Sequence, residues 1–231
     1  MLWILLNRKI IECKKMSARY INQLIAQGEH QKLDFKFAIT DSKKIARTLV
    51  AFANTAGGKL LIGVKDNGNI AGVRSEEEFY MVQAASQMYS KPEVFFESRQ
   101  WTIDGKTVLE ITVPESKTKP HLAPKDDKWL AYIRVNDQNL LANRIWLKAT
   151  EHNINGTGIL LQYTEQQKML LTYLDENETI TLSKFARIAF LPRFMAENIL
   201  INLVALNIIE IVFTEKQTYY RTHPLFNNPK N

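Results

Sequence analysis

The sequence predicts an α+β chain in two parts: a mixed α/β sandwich over residues 16–150 and a small helical module closed by a hairpin over 159–226. Three observations carry that reading. Leu33–Phe37 alternates apolar and charged residues, and a helical stripe of Ile45, Leu49 and Phe52 follows it. Strand-like runs then recur at Lys59–Val64, Val94–Ile103, Thr107–Val113 and Trp129–Val135, with turn residues between them. His152–Gly158, holding two Gly and two Asn, reads as a linker before the pattern becomes helical.

Taken in order, Met1–Leu6 is apolar but too short to span a bilayer, and no basic stretch precedes it as in a secretory signal. Residues 1–15 form a basic leader in which Arg8, Lys9, Lys14 and Lys15 outweigh Glu12; Met16 is an alternative start of the native chain. Ala18–Gln27 is predicted helical, with Ile21, Leu24 and Ile25 on one side and Gly28 as its stop. Leu33–Phe37 is a half-buried strand with Asp34 and Lys36 on its polar face. Asp41 or Ser42 caps a helix to about Ala53, opposite whose apolar stripe lie Lys43, Arg47 and Asn54. Asn54–Gly58 breaks it, and Lys59–Val64 pairs with Ile70–Val73 around the turn residues Asp66–Asn69.

A further helix is expected over Glu76–Tyr89, an Asp104-Gly105 turn between the next two strands, and a loop over Thr118–Lys128 with Pro120 and Pro124. Leu140–Lys148 is expected to close the sandwich as a helix. Beyond the linker, helices over Thr164–Glu176, Leu182–Ala189 and Arg193–Asn207 precede a hairpin of Ile208–Thr214 and Thr218–Thr222. Three helices and a hairpin in that order predict a winged helix-turn-helix. Its recognition helix would offer Arg193 with Phe194, Glu197, Asn198 and Asn202.

Composition narrows the function. With 45% hydrophobic and 23% charged residues, the 231-residue chain can bury an ordinary globular core. A single cysteine, Cys13, excludes a disulfide framework and a cysteine-rich zinc site, and fits a reducing, cytoplasmic address. His30, His121, His152 and His223 are scattered without zinc-ligand spacing. No phosphate-loop signature occurs, so ATP is not an expected ligand, and no membrane partner is expected. The net charge is +6, and it is uneven: residues 1–150 hold 23 Lys/Arg against 16 Asp/Glu, residues 151–231 hold 7 against 8. A polyanion would meet the first part, since phosphate affinity rests on cations that displace counterions.

The stretch from Glu29 to Val73 is the most specific, reading E-H-Q-K-L-D-F-K and then V-A-F-A-N-T-A-G-G-K-L-L-I-G-V-K-D-N-G-N-I-A-G-V. It resembles the Schlafen-type AlbA-like domain family of DNA-binding domains, and the likeness extends through Lys119–His121 and Tyr132–Val135. The resemblance implies a Schlafen/AlbA-like sandwich, a role in binding nucleic acid, DNA or RNA, and a homodimer, since such modules work as paired lobes. In nuclease members it implies a metal-dependent RNA-cleaving site whose acidic positions fall on Glu29, Asp34 and Asp66, with Mg²⁺ or Mn²⁺ as cofactor. Two departures weigh against that chemistry: Asp34 stands where the family has Glu, and Lys65 replaces an acidic residue beside Asp66.

Binding alone needs no cofactor. Lys32, Lys36, Lys43, Lys65, Arg47 and Arg134, with Arg193 of the C-terminal module, are the candidate phosphate contacts. Trp101 and Trp129 are either stacking platforms or core residues, and Asn54, Thr55 and the glycines serve turn geometry. The expected role is a regulatory or transcription-associated DNA-binding protein. The alternatives are a metal-dependent endoribonuclease and a protein-interaction adaptor.

Overall fold

The computed structural model describes residues 18–73, 75–155 and 164–226. The basic leader, Met16 and the second half of the expected linker lie outside them. The chain divides into two compact units, with the break after Leu141.

In the first unit, residues 18–25 are helical (α1). Strand β1 (Leu33–Lys36) leads into α2 (Ser42–Asn54) and β2 (Gly58–Ile62). Helix α3 (Glu77–Gln87) precedes β3 (Glu97–Ile103) and β4 (Lys106–Val113). These strands make one sheet in the order β1-β2-β4-β3. β1 and β2 are parallel, a pairing that requires a crossover, and α2 supplies it; the other pairs are antiparallel. Asp104 and Gly105, both at positive φ, make the tight β3–β4 turn.

A second sheet follows as a meander of β5 (Leu122–Lys125), β6 (Lys128–Val135) and β7 (Gln138–Leu141). β5 falls in the stretch expected as a loop. Pro124 hides it from a pattern reading, but an outer strand tolerates proline because one side of its backbone needs no donor. Residues 140–148 also depart from expectation. Asn136, at φ 55°, turns the chain so that β7 pairs back onto β6, and the helix starts later and belongs to the second unit.

Helix α2 lies between the two sheets. Its N-terminus is capped by Asp41, whose Oδ1 accepts from the Lys43 N–H at 2.8 Å. Ile45, Leu49, Val50 and Phe52 share one core with Leu60, Ile62, Leu109 and Ile111 of the first sheet and with Ala123 and Tyr132 of the second. At about 1.5–3 kcal/mol per fully buried large side chain, this core dominates the unit's stability. The helix exits where Gly57 sits at φ +70°; a Cβ there would lie 2.7 Å from the Val113 carbonyl oxygen, so the approach needs glycine. The other face of the first sheet is covered by α1: Ile21 packs with Leu33, Phe35, Leu61 and Val108. β1 is therefore covered on both faces, where the sequence predicts one.

The second unit contains α4 (Arg144–Asn155), α5 (Glu165–Glu176), α6 (Leu182–Ile188), α7 (Arg193–Ala205) and the antiparallel pair β8 (Ile209–Phe213) and β9 (Thr218–Thr222). A capping box between Thr164 and Gln167 opens α5. Ile145, Leu170, Phe185, Leu200, Ile209 and Tyr220 form the core. The axes of α6 and α7 turn by 113° across the short link at 189–192. Among the described residues no single helix is long and apolar enough to cross a membrane.

Candidate nucleic-acid interface

Two of the three acidic candidates come together. Glu29 lies just before β1, and its Oε1 accepts from the Phe35 N–H at 2.8 Å. Asp34, 3% exposed, sits beside it. Lys36 Nζ is 3.1 Å from Asp34 Oδ2 and 3.8 Å from Glu29 Oε1, and it donates to the Phe35 carbonyl at 2.6 Å. From β6, Arg134 reaches Asp34 Oδ1 at 3.3 Å. Burial first, and the neighbouring Asp34 carboxyl second, push the Glu29 carboxyl up to about 7; the Phe35 N–H and Lys36 oppose the shift.

Asp66 does not join them. It is exposed in the turn where Gly68 N–H donates to the Lys65 carbonyl and Lys65 N–H to the Asn69 carbonyl. Among the described residues no group of three His, Cys, Asp or Glu side chains is placed to hold a metal ion. As placed, a carboxylate pair facing two cations does not fit a divalent ion.

The cationic candidates separate into three groups. Arg134, expected on an exposed face, is 3% exposed. Its Nη1 donates to Asn139 Oδ1 at 3.1 Å and its Nη2 to the Leu33 carbonyl at 3.3 Å, and its guanidinium lies 5.2 Å from the Phe52 ring. It is a buried structural cation, and Lys36 is tied to the same carboxylate. Lys32 is exposed at the opposite end of β1 from α2's first turn, where residues 56–59 and Lys32 line a 360 Å³ groove.

The third group lies where α2 begins, at the end toward which β1 and β2 run. Lys43 is exposed, its Nζ 5.8 Å from the Tyr89 ring. Arg47 Nε donates to the Pro124 carbonyl at 3.2 Å, and its guanidinium lies 5.8 Å from the Tyr132 ring. Pro124 is paired with Trp129, and Lys91 Nζ sits 4.0 Å above the Trp129 ring. Lys125 and Lys128 face each other across the same hairpin, with Asp126 and Asp127 at its turn. Lys65, exposed after β2, has its ammonium 5.6 Å from the Phe37 ring.

In the C-terminal unit Arg193 is exposed at the first turn of α7, donating to Ser183 Oγ at 3.3 Å. Glu197 is paired with Arg144 at 3.1 Å. Around them Phe190, Phe194 and Met195 are exposed by 90%, 62% and 45%, so this edge is more apolar than cationic.

Residues 29–143 match the family described as Schlafen, AlbA_2. They form a Schlafen/AlbA-like domain. No curated protein matches the chain. Among solved structures, the DIP2311 protein of Corynebacterium diphtheriae is 19% identical over 53% of this chain and 24% of that one, with a TM-score of 0.40. The N-terminal domain of a RecG-related protein of Nitrosomonas europaea is 19% identical over 64% of this chain and 97% of that domain, with a TM-score of 0.39. The chain thus spans about a quarter of the length of the first of these.

Within the Schlafen/AlbA-like domain, several of the motif residues turn out to be structural. Asn54 donates from Nδ2 to the His121 and Tyr132 carbonyls, at 2.9 and 2.8 Å, and accepts from the His121 N–H at 2.8 Å. His121 is buried, with Nδ1 2.8 Å from the Pro92 carbonyl and Nε2 2.6 Å from Ser116 Oγ; burial lowers its pKa and favours the neutral ring. Trp101 is also structural: its Nε1 donates to Glu110 Oε2 at 2.7 Å, and its ring stacks on Tyr20. Sequence reasoning misses Lys91, Lys125 and Lys128. The signal for Lys125 and Lys128 is a lysine on either side of the Asp126-Asp127 turn, hidden by the loop assignment of residues 118–128; Lys91 carries no local signal.

The raised Glu29 carboxyl has a consequence for stability. A carboxyl whose pKa rises on folding favours the folded state when protonated. That contribution is complete below the ordinary 4.5 and is lost as pH rises through about 7. Glu29→Gln keeps the acceptor for Phe35 and removes the titration. The variant is expected to match wild type near pH 4 and to exceed it by about 1 kcal/mol or less near pH 8, after solvent screening. Thermal melts across that range check it; parallel curves for the two proteins would refute it.

Proposed function

We propose that the Schlafen/AlbA-like domain binds nucleic acid, with DNA favoured, through its sugar–phosphate backbone, in a regulatory or transcription-associated role. The single observation that supports it is the cluster at the start of α2, where Lys43 lies beside the Tyr89 ring, Arg47 reaches the Pro124 carbonyl, Lys91 lies over the Trp129 ring, and Lys125 and Lys128 flank the turn of the same hairpin. Cations spaced along a surface hold successive phosphates, and an aromatic ring among them gives an unpaired base something to stack on. The C-terminal unit fits a winged helix-turn-helix: the 113° turn between α6 and α7 is in the range of that motif, and a hairpin follows. Its exposed Phe190, Phe194 and Met195 favour docking contacts over groove reading.

Fluorescence anisotropy with single-stranded and duplex DNA, and with RNA, tests the reading. Lys43→Glu with Lys91→Glu is expected to weaken binding roughly tenfold or more and to reduce the salt slope by about one for each phosphate no longer neutralised. Trp129→Ala is expected to weaken single strands more than duplexes, by about 1–3 kcal/mol per unstacked base. Affinity that stays unchanged in both proteins would remove this surface from the account. The nuclease reading draws on the adjacent Glu29 and Asp34 carboxyls, which Lys36 and Arg134 already neutralise. Incubation with structured RNA and Mn²⁺ tests it: cleavage that Glu29→Gln abolishes without loss of fold would support it, and intact RNA would dismiss it.

A further inference from the structure

The two edges of the first sheet are treated differently. Strand β1 is four residues long, and the polar backbone groups of Phe35 are both taken by side chains: its N–H by Glu29 and its carbonyl by Lys36. Strand β3, at the other edge, is seven residues long, and all seven pair with β4 on one side only. Its sequence, Glu-Ser-Arg-Gln-Trp-Thr-Ile, has no proline, glycine or lysine to discourage strand addition. Glu97, Ser98, Arg99, Gln100 and Thr102 are exposed, and Phe95 just before the strand is 67% exposed. Among the described residues neither Glu97 nor Arg99 has an ion-pair partner.

We infer that β3 is a homodimer interface, pairing antiparallel with β3 of a second copy about a two-fold axis at Ser98. The register follows from side-chain chemistry. With Ser98 opposite itself, Glu97 of each copy faces Arg99 of the other. Glu97, Arg99 and Trp101 alternate onto one face of β3, the face on which Trp101 packs against Tyr20 with ring centroids 4.9 Å apart. The ionic pair therefore occurs twice, once on each side of the axis. Moving the axis to Gln100 would set Arg99 against Trp101 and Glu97 against Ile103, losing every charge match. The pairing joins two four-stranded sheets into one of eight, satisfies the open backbone edge, and is independent of any nucleic-acid contact.

Sedimentation velocity on the full chain over a concentration series tests this. Wild type is expected to dimerise. Glu97→Arg and Arg99→Glu, each placing like charges opposite one another, are each expected to weaken dimerisation roughly tenfold or more. Mixing the two variants in equal amounts restores complementary charges at both positions, so the mixture is expected to dimerise again. Both substitutions are on exposed positions, and circular dichroism verifies the fold. A wild-type chain that stays monomeric at about 100 μM, a dimer indifferent to both substitutions, or a mixture that fails to reassociate would each overturn the inference.

Discussion

Asp34→Ala is expected to lower the unfolding free energy by about 3–5 kcal/mol. The cost lies with Arg134. Its side chain is 1% exposed, and Asp34 is the only carboxylate within 4 Å of it among the described residues; its remaining acceptors are the Asn139 amide oxygen and the His30 and Leu33 carbonyls. Deleting Asp34 leaves a buried guanidinium with dipoles but no counter-charge. Lys36 is not comparable, because its side chain is 37% exposed and can turn to water; Lys36→Ala is expected to cost under about 1 kcal/mol. Replacing the pair together, Asp34→Leu with Arg134→Met, removes both charges at once and is expected to cost less than Asp34→Ala alone. Urea unfolding of the four proteins decides it. Equal losses for Asp34→Ala and Lys36→Ala would show that Arg134 does not depend on the carboxylate.

Asn54→Ala comes second, at about 2–4 kcal/mol. Its amide makes three buried hydrogen bonds to the backbone of His121 and Tyr132, and alanine leaves one donor and two acceptors without partners. Asn54→Asp retains the acceptor for the His121 N–H but offers no donor to either carbonyl, so it is expected to fail as a rescue. Thermal melts showing both variants several degrees below wild type are the expected result. A loss below about 0.5 kcal/mol for Asn54→Ala would mean that water replaces the amide at the α2 exit.

The local rules in the sequence are readable wherever neighbours in the chain determine the outcome. Asp41 caps α2, Asp104-Gly105 turns β3 into β4, and Leu33 with Phe35 faces α1, all of which follow from spacing and side-chain type. What is not readable depends on partners far along the chain. Asp34 and Lys36 look like a solvated face because Arg134, which covers them, is a hundred residues away. Arg47 and Asn54 look like a polar helix side because the second sheet that receives them includes β5, a strand disguised by Pro124. Trp101 gives no hint of its choice between stacking and packing until Glu110 and Tyr20 supply a partner for its N–H and a ring for its face. The cationic surface is accordingly half legible: Lys43 and Arg47 are found, Arg134 is misplaced, and Lys91 is missed.

Helix α2 lies in the middle of its unit, and that position bears on how the unit can come apart. A helix on the outside of a sheet can fray while the sheet persists. Here detaching either layer uncovers one flank of the same helix, so the two layers depend on one another through it, although α1 still covers the outer face of the first sheet. A fragment ending at Val113 would keep four strands and still show water the side of α2 that meets Ala123 and Tyr132. The unit is therefore a single cooperative block: its amides should exchange with solvent together, and trimming the chain from the β7 side should abolish the whole of it at once.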